Sequence, residues 1–345
     1  MKITQSDFGK AALFTLEGED GITARVTSYG AILVSLSVPD AQGGRRDVVT
    51  GYDTQEEYAR GGFFGATVGR HANRIAGASF TLDGVRYELC TNEGRNNLHS
   101  SRTDGFHKRL CDSELLPDGV RFSLVSEDGD AGFPGELHCS VSYTLRSDHA
   151  LHIVYDAVSD KRTLINLTNH SFFNLGGHDA GSLDTLRLTV EADRFLVLDD
   201  EKLPTGELRA VSGTPMDFRR ERGLSERIDE NDPQLRIAGG YDHCYELRGS
   251  GMRRAALLRD TGSGITMEVL TDLPGMQLFT ANFLPEQGGK GGAIYHRRGA
   301  VCFETQYFPD SIHHPAFPQC VFGAGEPYHS ETVFRFGLAE RHRSL

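Results

Sequence analysis

The sequence predicts an all-β protein, a large antiparallel β-sandwich with few short helices, and three observations predict it. Short runs of β-branched and aromatic residues recur along the whole chain, as strands require. The 40 glycines and 12 prolines supply turn chemistry at the joints between those runs. Helix signals are scarce. No repeat of fixed period, low-complexity linker or break in composition marks a boundary, so residues 1–345 read as a single domain.

In chain order, residues 14–16, 22–26 and 31–38 read as short strands, closed by Pro39-Asp40 and Gly43-Gly44. Asp53, with Glu56 three residues later, predicts one short capped helix through Tyr58. Phe80, Leu82, Val85, Tyr87 and Leu89 flank Asp83-Gly84, which predicts a two-residue hairpin because a type I′ turn needs positive φ at both central positions. Pro117-Asp118-Gly119 predicts a second hairpin, between residues 111–116 and 120–125, and Ser147-Asp148-His149 a third, between 137–145 and 150–158. Further strands are expected at 163–167, 186–190, 244–247, 255–258, 265–270 and 277–280. Residues 218–237 are charged and irregular and read as a long loop with a helical turn.

Composition narrows the function classes. A 38% hydrophobic and 24% charged content is that of a soluble globular protein, and no apolar run approaches the ~18 residues of a membrane span. The first seven residues lack the apolar run of a signal peptide, so a cytoplasmic protein is expected. Net charge is -12, and the basic pairs Arg45-Arg46, Arg253-Arg254 and Arg297-Arg298 are isolated from one another, so no nucleic-acid partner is expected. The six cysteines show no Cys-x-x-Cys spacing, which favours reduced thiols over disulfides or a zinc site.

Several stretches place chemistry-bearing groups in turns or on strand faces. In residues 299–309, period-two alternation sets Val301, Phe303, Thr305 and Tyr307 on one face and Cys302, Glu304 and Gln306 on the other. Glu304 then lies either on the wet face of an edge strand or in a partly dry groove, where desolvation turns a carboxylate into a useful base. Asn73 and Arg74 put an amide beside a guanidinium, a pair suited to neutral, oxygen-rich ligands, although an arginine also closes loops by bonding carbonyls. His99 and His170 are the candidate proton carriers, since imidazole titrates near neutrality, and His170 has Asn169, Ser171 and Asn174 to fix its tautomer. Asp242, entering a strand after Gly239-Gly240, reads equally as an acceptor of ligand hydroxyls and as a turn cap. Gln277 and Phe279 share one strand face, where Phe279 reads as a ligand wall or, more simply, as core.

Taken together and in this order, the stretches resemble the aldose 1-epimerase family. The resemblance rests on Ala72-Asn73-Arg74-Ile75, Asn96-Asn97-Leu98-His99, His170-Ser171-Phe172-Phe173-Asn174-Leu175, Leu203-Pro204-Thr205-Gly206-Glu207 and Gly213-Thr214-Pro215-Met216-Asp217-Phe218. It continues through Gly240-Tyr241-Asp242-His243, Gly289-Lys290-Gly291-Gly292, Glu304-Thr305-Gln306, His314-Pro315-Ala316-Phe317-Pro318 and Gly325-Glu326-Pro327-Tyr328. It implies a sugar groove across one sheet, an aldose substrate, and no metal or organic cofactor; a monomer or homodimer is expected, without a choice between them. It also implies Glu304 as the base at the anomeric hydroxyl, His170 as the acid at the ring oxygen, and His99 near that oxygen. Asn73, Arg74, Asp242 and Gln277 would hold hydroxyls. Ser100-Ser101 stands where the family usually has a glycine pair, His107 where it usually has Asp, and Cys111 where it often has Trp, so the loop after His99 is expected to differ in shape. Rival readings are a glycosidase using Glu304 with Asp242 and a non-catalytic sugar sensor. A sugar-phosphate epimerase is less expected, because no added arginine cluster is visible in the sequence.

Overall fold

A computed structural model describes residues 1–339. Three antiparallel sheets of five, nine and six strands hold most of the strands of the described chain, with two short α-helices, Gln55–Arg60 and Pro233–Ala238. The nine-stranded sheet starts from the predicted hairpins, running Asp112–Leu116, Gly119–Ser126, Leu137–Arg146 and Ala150–Ser159. The long strand Pro327–Leu338 then pairs with both Ala150–Ser159 and Ile265–Thr271, so the end of the described chain ties its two halves together. The six-stranded sheet runs Phe172–Phe173, Val301–Gln306, Gly275–Phe279, Asp242–Leu247, Ala192–Leu198 and Pro204–Ala210.

Alternation decides which face of each sheet is buried. Leu186–Val190 and Ile265–Thr271 switch between buried and half-buried residues at every step, the pattern of strands with one face on a core. Phe122, Tyr143, Ile153, Met267 and Phe334 of the nine-stranded sheet join Phe195, Tyr245, Met276, Leu278 and Phe303 of the six-stranded sheet in one buried cluster. Each such side chain contributes roughly 1.5–3 kcal/mol by leaving water. The back of the six-stranded sheet is thereby clamped, and its front is free to carry polar groups. All six residues of Val301–Gln306 are buried, with Phe172–Phe173 on one side and Gly275–Phe279 on the other, so the edge-strand reading of Glu304 is excluded.

Local expectations hold with some corrections. Asp83 (φ 52°) and Gly84 (φ 77°) both take positive φ at the Ser79–Leu82 to Val85–Glu88 hairpin, as a type I′ turn requires. The first helix is capped one residue later than expected: Thr54 accepts from the Glu57 N–H, and the Glu57 carboxylate accepts from the Thr54 N–H. Asp53 is occupied elsewhere, accepting from the Gly291 N–H at 2.7 Å. The predicted 163–167 strand stops at Leu164, because the Asn166 backbone turns to pair with Arg70 and Ala72 instead. The helical turn expected within 218–237 is Pro233–Ala238, capped by the Asp232 carboxylate.

Candidate active site

A pocket of about 520 Å³ opens on the front of the six-stranded sheet. Antiparallel register builds its floor: Gln277 pairs with Glu304 and Asp242 with Phe279, so all four side chains project from one face. His170 arrives from outside that sheet, at the end of Thr168–His170, which pairs with Ala66–Val68. Its Nε2 lies 3.6 Å from Glu304 Oε1. Both side chains are almost fully buried, at 6% and 2% exposure, yet His170 Nδ1 and Glu304 Oε2 have no hydrogen-bond partner. Polar atoms left unmatched in a rigid pocket are costly unless a ligand meets them.

The His170 ring is held by aromatic packing rather than by hydrogen bonds. It stacks on Phe172 (centroids 4.9 Å apart, 18°) and on Phe63 (5.7 Å, 17°), and His99 meets it edge-on at 5.4 Å. Burial pushes its pKa down to about 4. Glu304 moves the other way: burial raises it well above the usual carboxylate range, the Asp242 charge adds to this, and the Arg74 guanidinium opposes it.

Arg74 is a fork clamped by a carboxylate. Its Nε and Nη2 donate to the two Glu93 oxygens at 2.6 and 3.0 Å, and Nη2 stands 3.9 Å from Asp242 Oδ2. Burial works against its charge, but Asp242, Glu93 and Glu304 together hold it above its ordinary value. Asp242 is raised by burial, with Arg74 and Gln277 opposing. Gln277 donates to Asp242 Oδ1 at 2.7 Å, and its buried Oε1 has no protein partner, so it orients Asp242 while keeping an acceptor beside the floor. Phe279 lines the pocket as a wall while also packing against the buried cluster that holds Phe172.

His99 Nδ1 accepts the Asn73 backbone N–H at 3.0 Å, which places the proton of the neutral ring on Nε2. Burial, aided by His170 and Arg74, keeps this ring neutral by pushing its pKa well down. His99, His170 and Glu304 are the one group among the described residues whose ligand atoms converge, within 4.8 Å, as for a metal ion. Because Asn73 holds the His99 proton on Nε2, that ring is set up to donate, not to ligate.

The loop after His99 holds Ser100, Ser101 and His107, the residues expected to reshape it. Ser100 sits in the left-handed region (φ 62°), where glycine is favoured. Its hydroxyl offsets this by accepting from the His71 N–H at 2.8 Å and donating to the His71 carbonyl at 3.1 Å. Ser100→Ala keeps the strain and strands two buried backbone groups, so a loss of about 2–3 kcal/mol is expected in urea unfolding. His107 packs on Phe63 at 4.3 Å, and burial pushes its pKa down to about 3, so it enters the pocket wall as a neutral ring.

Sequence reasoning missed other lining residues. Phe63, Phe172 and Glu93 shape the inner pocket. Arg60, Arg102 and Lys202 stand at its mouth, with Phe283 half in water beside Lys202. Phe172 lies within a stretch already singled out, and Glu93, Arg102 and Lys202 lie beside such stretches; no sequence signal marks Arg60, Phe63 or Phe283.

Comparisons with known proteins were made against this geometry. Residues 12–335 match the family model described as aldose 1-epimerase. The chain is similar to a galactose mutarotase from Bos taurus, 40% identical over 349 aligned positions that cover 98% of this chain and 100% of the relative. It is 34% identical to an aldose 1-epimerase from Escherichia coli (strain K12), with 94% of each chain covered. Among solved structures, a GalM/aldose epimerase homologue from C. elegans superposes with a TM-score of 0.89 at 30% identity, covering 96% of this chain and 100% of that one. A galactose 1-epimerase from Lactobacillus acidophilus NCFM gives 0.84 at 26% identity, covering 98% and 99%.

Proposed function

The chain belongs to the aldose 1-epimerase family, and on that premise we propose that Glu304 and His170 interconvert the α and β anomers of a free aldose by opening and reclosing its ring. The protein is an isomerase of the mutarotase type. The observation that carries the assignment of roles is the 3.6 Å approach of two buried, opposed proton carriers at the pocket floor. Glu304, ionised, takes the proton from the anomeric hydroxyl while protonated His170 gives one to the ring oxygen. The C1–O5 bond breaks, C1 becomes an aldehyde, and the neutral pair Glu304-COOH and His170 remains. Rotation about C1–C2 and the reverse transfers close the ring on the other face. Proton count is conserved throughout.

The same burial that defines the pocket supports these roles. A histidine pushed down to about 4 is a stronger acid than free imidazole, and a carboxylate pushed up is a stronger base, so both shifts drive ring opening. His99 would donate Nε2–H near the ring oxygen, while Asn73, Arg74 and Asp242 would hold hydroxyls and Phe279 would face the ring. Asp242 is already engaged by Arg74 and Gln277, which favours a binding role over that of a second catalytic carboxylate. A main buried cluster drawing on residues from Phe14 to Phe336 supports one domain for this work, and six unpaired cysteines suit a reducing, cytoplasmic setting.

Polarimetry of freshly dissolved α-galactose and α-glucose tests the activity, and its pH dependence tests the pair. The active state holds one proton between Glu304 and His170. Below about pH 4 a second proton binds and removes the base; above the raised Glu304 value the last proton leaves and removes the acid. A bell is expected in kcat/KM with its acid limb near pH 4, not near the ordinary imidazole value of 6.5. An acid limb at that ordinary value would count against the assignment.

A further inference from the structure

Resting on the reading above, we propose that the groove selects aldoses carrying an anionic group, a carboxylate or a phosphate ester, at the end of the sugar remote from C1. The chain has 48 acidic and 36 basic side chains, and most of its surface arginines and lysines pair with a carboxylate. Arg60, Arg102 and Lys202 do not. Each lines the pocket, and among the described residues none of the three has an acidic partner within ion-pair distance.

Their contacts leave the charges available. Arg60 spends its Nε on the Glu56 carbonyl, Lys202 places its Nζ 4.0 Å above the exposed Phe283 ring, and Arg102 engages His107 through its backbone carbonyl, leaving its exposed guanidinium without a partner among the described residues. They come from three separate segments, one at the end of a helix, one on the loop after His99 and one beside Pro204, and all three line the pocket. The Lys202 charge is felt by Asp242 and that of Arg102 by His99, which ties both to the groove.

Depth separates the two ends of a bound sugar. Glu304 and His170 are buried at the floor, so C1 and the ring oxygen point inward. Arg60 and Arg102 are exposed and Lys202 is half-buried, so the far end of the ring points toward three cations. The pocket's own carboxylates are no rivals for them: Glu93 is clamped by Arg74, and Asp242 and Glu304 lie below. Unpaired cations at the mouth of a low-dielectric cleft attract an anion and raise its rate of capture, in a salt-dependent way.

The test compares kcat/KM for galacturonate against galactose, glucuronate against glucose and glucose 6-phosphate against glucose, by NMR exchange of the anomers. Measurements are made at low salt and at about 0.5 M salt, where the Debye length is only a few Å. We expect at least one anionic sugar to be favoured about tenfold or more at low salt. That ratio should collapse toward one at high salt and in Arg60→Gln/Arg102→Gln/Lys202→Gln. A preference for the uronates or for the phosphate ester alone supports the proposal and identifies the anion. Neutral aldoses exchanged as well as or better than every anionic one would overturn it while leaving the epimerase reading intact. A preference that survives both high salt and the triple substitution would also overturn it. Failure to exchange any sugar would remove both.

Discussion

Glu304→Gln is expected to lower kcat by about 10²- to 10⁴-fold while the protein folds normally, because a positioned base contributes that order of rate and glutamine cannot take a proton. The fold expectation follows from the strand. Val301 and Phe303 on its back face are locked in the main cluster, and glutamine has the shape of the residue it replaces. Stability should even rise slightly. Burial, with the Asp242 charge beside it, raises Glu304 well above its usual range, which means the folded state bears a desolvation cost for the ionised form, and an uncharged amide has none. Polarimetry with a thermal melt on the same sample checks both halves. A variant with kcat within a few-fold of wild type would take Glu304 out of the chemistry; a variant with a collapsed melt would show that the strand needs the acid for folding.

Where the chemistry is carried by one strand or one hairpin, the sequence was legible. Alternation along residues 299–309 separates Val301 and Phe303, which enter the core, from Glu304, which enters the pocket. Asp83-Gly84 specifies its own turn because two positive φ values are a local demand. The long strand Pro327–Leu338 was not read as a strand, since His329, Ser330, Glu331 and Arg335 interrupt its apolar pattern. Its pairing with strands from two distant parts of the chain outweighs that local signal. The resemblance made Gln277 a holder of hydroxyls; its bond to Asp242, across two paired strands from distant segments, is a contact that alternation does not encode. Arg60, Arg102 and Lys202, which share the pocket lining, lie far apart in the chain, so no local run of basic residues announces them.

His170→Asn should cost about 10²- to 10⁴-fold in kcat and, more tellingly, change the shape of the pH profile. In the wild-type protein a neutral or charged imidazole shares one proton with Glu304, so rate is lost on both sides of a window that opens near pH 4. Asparagine leaves the carboxylate as the only titrating member of the pair. Whatever rate survives then needs ionised Glu304 with solvent as the acid, so it should rise with pH through the raised Glu304 value and show no second limb there. The substitution also removes the stacking on Phe63 and Phe172, worth about 0.5–1.5 kcal/mol, a loss visible in urea unfolding but too small to unfold a protein of this size. A structural role alone would reproduce that stability change and leave the wild-type bell in place at reduced height. Persistence of both limbs in His170→Asn would therefore assign the proton on the ring oxygen to another donor, with the neighbouring His99 as the first to be tested.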